Sequence, residues 1–253
     1  EKWIFGEVRR MKLQKLLSLV RQAVERYGMI DAGDRIAVGL SGGKDSMALL
    51  LALKELSKFY PKPFEVCAIC VDLGYGKIDK IEKAALRRFC GELDTVLTIL
   101  PTQIGRIVME ERREKNPCAL CAKLRKGALV REALHRGCNK IAYAHHKDDF
   151  VETMLLSLIF EGRFYAFPPV TRFEDTQLTV LRPLILVEEA QIKGFCGSYG
   201  IPVMKSGCPV DGATNRAYAK ELLAQIQRAH PGAKERMFHA ITEGKIFDWP
   251  QNG

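Results

Sequence analysis

Six consecutive residues, Ser41-Gly42-Gly43-Lys44-Asp45-Ser46, bring two glycines, an ammonium, a carboxylate and two hydroxyls together. Glycines let a backbone turn tightly and bring its N–H groups close to a phosphate. A helix starting there adds free donors and a favourable dipole. Lys44 neutralises phosphate charge, and Asp45 beside an anion makes sense with a cation such as Mg2+ between them. The segment is neither G-x-x-x-x-G-K-S/T nor G-x-G-x-x-G. The plainer alternative is a strand-to-helix turn capped by Asp45 or Ser41. Further along, His145-His146 precede Asp148-Asp149. Side chains alternate along a strand end, so only one of the two imidazoles need face a site there.

Sulfur is the second candidate chemistry. Of eight cysteines, Cys118 and Cys121 follow Asn116-Pro117. Pro favours the first helical turn, which puts the two thiols one turn apart on one face. The helix dipole and Arg112, Arg113, Lys123, Arg125 and Lys126 favour their thiolate forms. Such a pair serves as half of a metal or cluster site, or as a redox disulfide. Cys67 and Cys70 have the same spacing inside a strand pattern, where i and i+3 point to opposite faces, so they read as core. Cys90 and Cys196 fall on amphipathic helices, and Cys138 follows Gly137 at a helix end; all three read as structural. Cys208 lies in Lys205-Ser206-Gly207-Cys208-Pro209, which has neither strand nor helix period. Adding it to the pair gives three sulfurs, suited to an iron–sulfur cluster with one open iron or to zinc with an exchangeable position.

These residues need a scaffold. Short β-rich runs (35–40, 65–71, 95–100, 140–144, 178–186) alternate with helical patterns (46–58, 82–93, 117–135, 148–160, 188–199). That alternation predicts an α/β fold, a doubly wound, mainly parallel sheet with helices on both faces. Ligands of such sheets lie at the carboxyl ends of the strands, where the candidates fall. A helical segment is expected over 1–30, the α/β domain over 31–204, and a loop with a helical tail over 205–253. The chain has 253 residues and a formal charge of +9, which suits an anionic partner. No apolar run nears the ~18 residues of a membrane span, and Glu1–Arg10 lack a signal-peptide layout. The reading is a soluble, cytoplasmic protein with no membrane partner. Residues 106–140 hold ten Lys/Arg against four Asp/Glu. Around the Cys118–Cys121 pair this excess suits RNA phosphates as well as a solvated helix face; Arg125, Lys126 and Arg163 are the candidate contacts.

The hexapeptide resembles the S-G-G-x-D-S signature of PP-loop ATP pyrophosphatases, which split ATP between its α and β phosphates. Residues 144–149 resemble the G-H-H-x-D-D segment of tRNA-modifying PP-loop proteins. With Cys118-Ala119-Leu120-Cys121, Pro168-Pro169, Arg182-Pro183-Leu184 and the Cys208 loop, nearly the whole chain is similar to the TtcA-type tRNA 2-thiocytidine synthetases. The resemblance implies the PP-loop fold and binding of ATP and Mg2+ at Ser41, Gly42, Gly43, Lys44, Asp45 and Ser46. It adds Asp72 near the adenosine and His145 and His146 near the phosphates. It implies a 4Fe-4S cluster on Cys118, Cys121 and Cys208, and tRNA as partner. The implied reaction is adenylation of the C2 oxygen of an anticodon-loop cytidine and its replacement by sulfur. Lys44, Asp45 and the three cysteines would be catalytic, with sulfur from a cysteine desulfurase or inorganic sulfide. Lys205 stands where the family often has a further cysteine.

Several alternatives stay open at this point. Another base could be the target, or the enzyme could remove sulfur rather than insert it. The cysteines could carry a persulfide without a cluster, or pair as Cys118–Cys208. A PP-loop amidotransferase or ligase would not need the cysteines, and a nucleic-acid-binding iron–sulfur sensor would not need the complete loop. Homodimerisation is equally open.

Overall fold

A computed structural model describes residues 7–74, 80–112, 117–204 and 215–244. In chain order the elements are α1 (Glu7–Arg26), β1 (Asp34–Gly39), α2 (Lys44–Ser57), β2 (Phe64–Asp72), α3 (Lys80–Glu92) and β3 (Leu97–Pro101). There follow a helical turn α4 (Ile104–Arg106), widening into a π-type turn over Ile107–Arg112, then α5 (Pro117–His135), β4 (Lys140–Ala142) and α6 (Lys147–Glu161). The last are β5 (Val170–Arg172), β6 (Thr179–Leu181), α7 (Glu189–Tyr199), α8 (Asn215–Ala229) and α9 (Ala233–Glu243). The six strands lie in the order β3-β2-β1-β4-β6-β5, all parallel except β5, which runs antiparallel to β6 at the edge. The chain builds outward from β1 to β3, then crosses to the other side of β1 with β4. The crevice between the carboxyl ends of β1 and β4 is therefore the switch point where such sheets take ligands.

Residue alternation sorts the two faces. Ile36 and Val38 of β1 join the large core under α1, α2 and α7, while Ala37 joins the smaller core under α5. Cys70 lies in the first core and Cys67 against the second, as i and i+3 in a strand require. Cys90, Cys138 and Cys196 are buried too. Helix α2 is buried from Ser46 to Leu53, because it is enclosed by strands, α1 and α7; its unbroken apolar run follows from that position. Three elements differ from the sequence reading. The run 178–186 is a strand only over Thr179–Leu181, since Pro183 lacks a ladder donor and Ile185 N–H closes a turn onto Arg182 O. The edge strand β5 and the turn Ile104–Arg112 carry too few residues to show a period.

Candidate functional site

The hexapeptide joins β1 to α2 at the switch point. Gly42 has φ +79°, open to glycine and strained for other residues. Gly43 takes the N-cap position of α2 with no side-chain cap, so neither Ser41 nor Asp45 caps the helix. The hydroxyls instead brace the loop: Ser46 Oγ accepts from Ser41 N–H at 3.1 Å and donates to Gly43 O at 2.9 Å, and Ser41 Oγ accepts from Gly43 N–H. Gly42 O also accepts from Met204 N–H at 2.9 Å, which fixes the residue before the 205–214 segment against the loop. A Cβ on Gly42 would overlap the Met204 side chain. Gly42→Ala is therefore expected to cost about 1–3 kcal/mol of stability and to weaken ATP binding, read by thermal melts and by the KM for ATP.

Charges converge on this loop from three helices. Lys44 Nζ lies 3.0 Å from both Asp45 Oδ2 and Glu189 Oε1, and Glu189 Oε2 lies 2.6 Å from Lys220 Nζ. Burial works against the Lys44 charge, but the two carboxylates outweigh it and raise its pKa. Burial likewise pushes the Glu189 carboxyl up, yet Lys220 and Lys44 hold it down at about 2. Asp45 Oδ1 is buried without a hydrogen-bond partner, a carboxylate oxygen free for a cation. His146 Nε2 lies 3.9 Å from it. The backbone N–H of His146 donates to Asp149 Oδ2 at 2.7 Å, fixing the start of α6. Asp149 and Glu152 both pair with Arg216 of α8. Lys234 of α9 bridges Asp148 at 2.9 Å and Glu188 at 3.1 Å. Sequence reasoning missed Glu189, Arg216, Lys220 and Lys234. Each sits far along the chain from its partner, and no local spacing marks it.

His146 thus faces Asp45, and His145 turns the other way, its ring 4.5 Å from that of Phe167 and 5.8 Å from that of Tyr143. Burial, with Arg182, Arg216 and His146 adding positive charge, pushes the His145 imidazole down to about 3. Its unfolded pKa is about 6.5. The stability due to neutral His145 is therefore complete above that value and drains as pH falls toward about 3, by at most about 1.4 kcal/mol per pH unit. Urea titrations at pH 7, 6 and 5 should show that slope, and His145→Phe should flatten it; an equal slope in the variant would contradict the assignment.

Asp72, buried at the end of β2, accepts from Gly74 N–H at 3.1 Å and pairs with Lys83 at 3.0 Å. Cys118 is exposed and Cys121 half-buried in the first turns of α5. Cys121 packs against the small core of Ile104, Val108 and Ala128, which Val71, Leu73 and Leu100 also meet from the carboxyl ends of β2 and β3. Cys208 lies outside the described residues, so two of the three expected cluster ligands are placed. Arg125 and Lys126 are exposed on α5, with Lys126 Nζ 4.4 Å above the Phe173 ring. Arg163 lies beyond α6, 4.6 Å over Tyr165.

A braced phosphate loop at the switch point of this sheet defines a nucleotide-binding protein of the PP-loop class. A family model described as a PP-loop domain matches residues 11–220. The tRNA-cytidine(32) 2-sulfurtransferase of Pelobacter propionicus is 38% identical over 240 residues, covering 93% of this chain and 88% of that one. The enzyme of the same name from Geobacter sulfurreducens is 37% identical, covering 91% and 90%. Among solved structures, the U34-tRNA thiolase NcsA from Methanococcus maripaludis, with its 4Fe-4S cluster, superposes with a TM-score of 0.75 at 23% identity, covering 91% of this chain and 78% of that one; that likeness is one of fold. The chain belongs to the PP-loop family and, within it, to the family of the tRNA-cytidine(32) 2-sulfurtransferases. Among the described residues, no helix is long and apolar enough to cross a membrane.

Proposed function

We propose that the chain is an ATP-dependent tRNA sulfurtransferase that replaces the C2 oxygen of cytidine 32, the position in its relatives' name, by sulfur. The observation that carries this reading is the Ser41–Ser46 loop, with Lys44 and Asp45, at the same sheet edge as the Cys118–Cys121 pair. The loop N–H groups and the start of α2 take the phosphates of ATP. Asp45, whose Oδ1 has no hydrogen-bond partner, fits a Mg2+ ion bound with the nucleotide. Lys44 leaves Glu189 for the β-phosphate and stabilises charge on departing pyrophosphate. The cytidine C2 oxygen attacks the α-phosphorus, the α–β bridge breaks, and the base carries AMP on oxygen. That turns a poor leaving oxygen into AMP, which departs when sulfur enters at C2. His146 fixes the start of α6 beside Asp45.

Cys118 and Cys121 fit a 4Fe-4S cluster in donor type, accessibility and one-turn spacing, with Cys208 as the third ligand. Bound there, the cluster would hold the incoming sulfur at the iron that no cysteine occupies. A cysteine desulfurase or inorganic sulfide supplies that sulfur. The test is AMP formation by the anaerobically reconstituted holoenzyme with ATP and sulfide. AMP is expected only with a tRNA carrying cytidine at position 32, and not with the uridine transcript. AMP formation indifferent to added tRNA would overturn the proposal.

A further inference from the structure

Six of the eleven exposed large apolar side chains among the described residues lie on the last turn of α6, the segment just after it and the facing α8: Leu158, Ile159, Phe160, Phe164, Tyr165 and Tyr218. Exposed apolar groups scattered singly need no explanation, but such a concentration on one stretch of chain does. This one is held in shape. Gly162 ends α6 in the left-handed conformation and turns the chain back along the helix. Ser157 Oγ accepts from Tyr165 N–H at 3.0 Å and lies 2.9 Å from Tyr165 O. Tyr218 of α8 meets Phe160 edge-on at 6.2 Å.

The returning segment leads to the catalytic edge of the sheet. Past Phe164 and Tyr165, the Phe167 ring lies 4.6 Å from Phe150 and 4.5 Å from His145, the neighbour of His146. Guanidinium groups are interleaved with the rings: Arg163 sits 4.6 Å over Tyr165 and Arg182 4.9 Å over Phe167. Flat rings alternating with arginines form the surface that binds unpaired nucleotides, the rings stacking on bases and the arginines meeting bases and phosphates. A face for a second copy of the chain would have no reason to run on to the nucleotide-binding crevice.

We infer that Phe164 and Tyr165, flanked by Phe160, Arg163 and Tyr218, are the platform on which unpaired tRNA bases stack while the target base is presented between β1 and β4. This rests on the tRNA reading above and specifies where that substrate lies. The test uses reconstituted holoenzyme, an unmodified tRNA transcript, and Phe164→Leu, Tyr165→Leu and the pair. Leucine keeps the apolar bulk and removes the stacking face. Each single change is expected to raise the KM for tRNA about tenfold, leaving the KM for ATP, the iron content and the sedimentation coefficient unchanged. Phe164→Trp should restore wild-type tRNA affinity. Wild-type tRNA KM in the leucine variants would overturn the inference, and a changed sedimentation coefficient with it would assign the patch to self-association. Failure of the wild-type enzyme to use tRNA at all would remove both this inference and the functional reading, an outcome the wild-type control separates from the others.

Discussion

Lys44→Ala is expected to lower kcat for AMP formation by about 10²–10³, the usual loss when one group aimed at developing transition-state charge is removed. Lys44 is the cation of the loop itself, at the first turn of α2, with its ammonium held between Asp45 and Glu189. Before nucleotide binds, these carboxylates stand where phosphate oxygens will compete for it. The pairs are partly exposed, so their loss costs little stability; Glu189 keeps Lys220 at 2.6 Å, and the melting temperature should stay near wild type. The KM for ATP should rise as well, because ground-state phosphates meet the same charge. Lys44→Arg should recover only part of kcat, since a planar fork does not reproduce a compact ammonium. Rates of AMP and pyrophosphate release give both constants; a kcat within threefold of wild type in the alanine variant would remove Lys44 from the reaction.

Cys121→Ser is expected to abolish tRNA thiolation and to strip the cluster, with iron falling from about four atoms per chain to less than one. Serine keeps the volume and removes the soft donor. Because Cys121 packs on the small core beside the carboxyl ends of β2 and β3, and the Ser41–Ser46 loop is braced by its own hydroxyls and Met204, ATP binding by calorimetry should be unchanged. Cys67→Ser and Cys138→Ser are the matched controls. Their sulfurs lie 3.6 Å from each other in the smaller core, remote from Cys118 and Cys121 at the other end of α5, and these variants should keep full iron. Retention of iron and thiolation in Cys121→Ser would contradict the ligand assignment.

What the sequence made legible were features with a local period or a dense local motif. The strand–helix alternation fixes the sheet, and the hexapeptide marks its own strand-to-helix junction. The two C-x-x-C spacings are told apart by the element each lies on: Cys67 and Cys70 part to opposite faces of β2, while Cys118 and Cys121 share a helix. Hidden were arrangements made by distant residues. Glu189 and Lys220 reach Lys44, and Arg216 reaches Asp149 and Glu152, only because α7 and α8 fold back over the switch point. The His145–His146 pair shows the boundary: strand alternation says that the two imidazoles part, and only the fold assigns His146 to Asp45 and His145 to Phe167. The aromatic patch at Phe160–Tyr165 follows from the reversal at Gly162, which has no helix or strand period.

Nucleoside mass spectrometry of tRNA from matched cells with and without the gene reads the proposed modification itself. Expected are 2-thiocytidine at position 32 in the first, its loss in the second, and its return with the wild-type gene but not with Lys44→Ala or Cys121→Ser. An unchanged 2-thiocytidine content on deletion, with a different thiolated nucleoside lost instead, would contradict it.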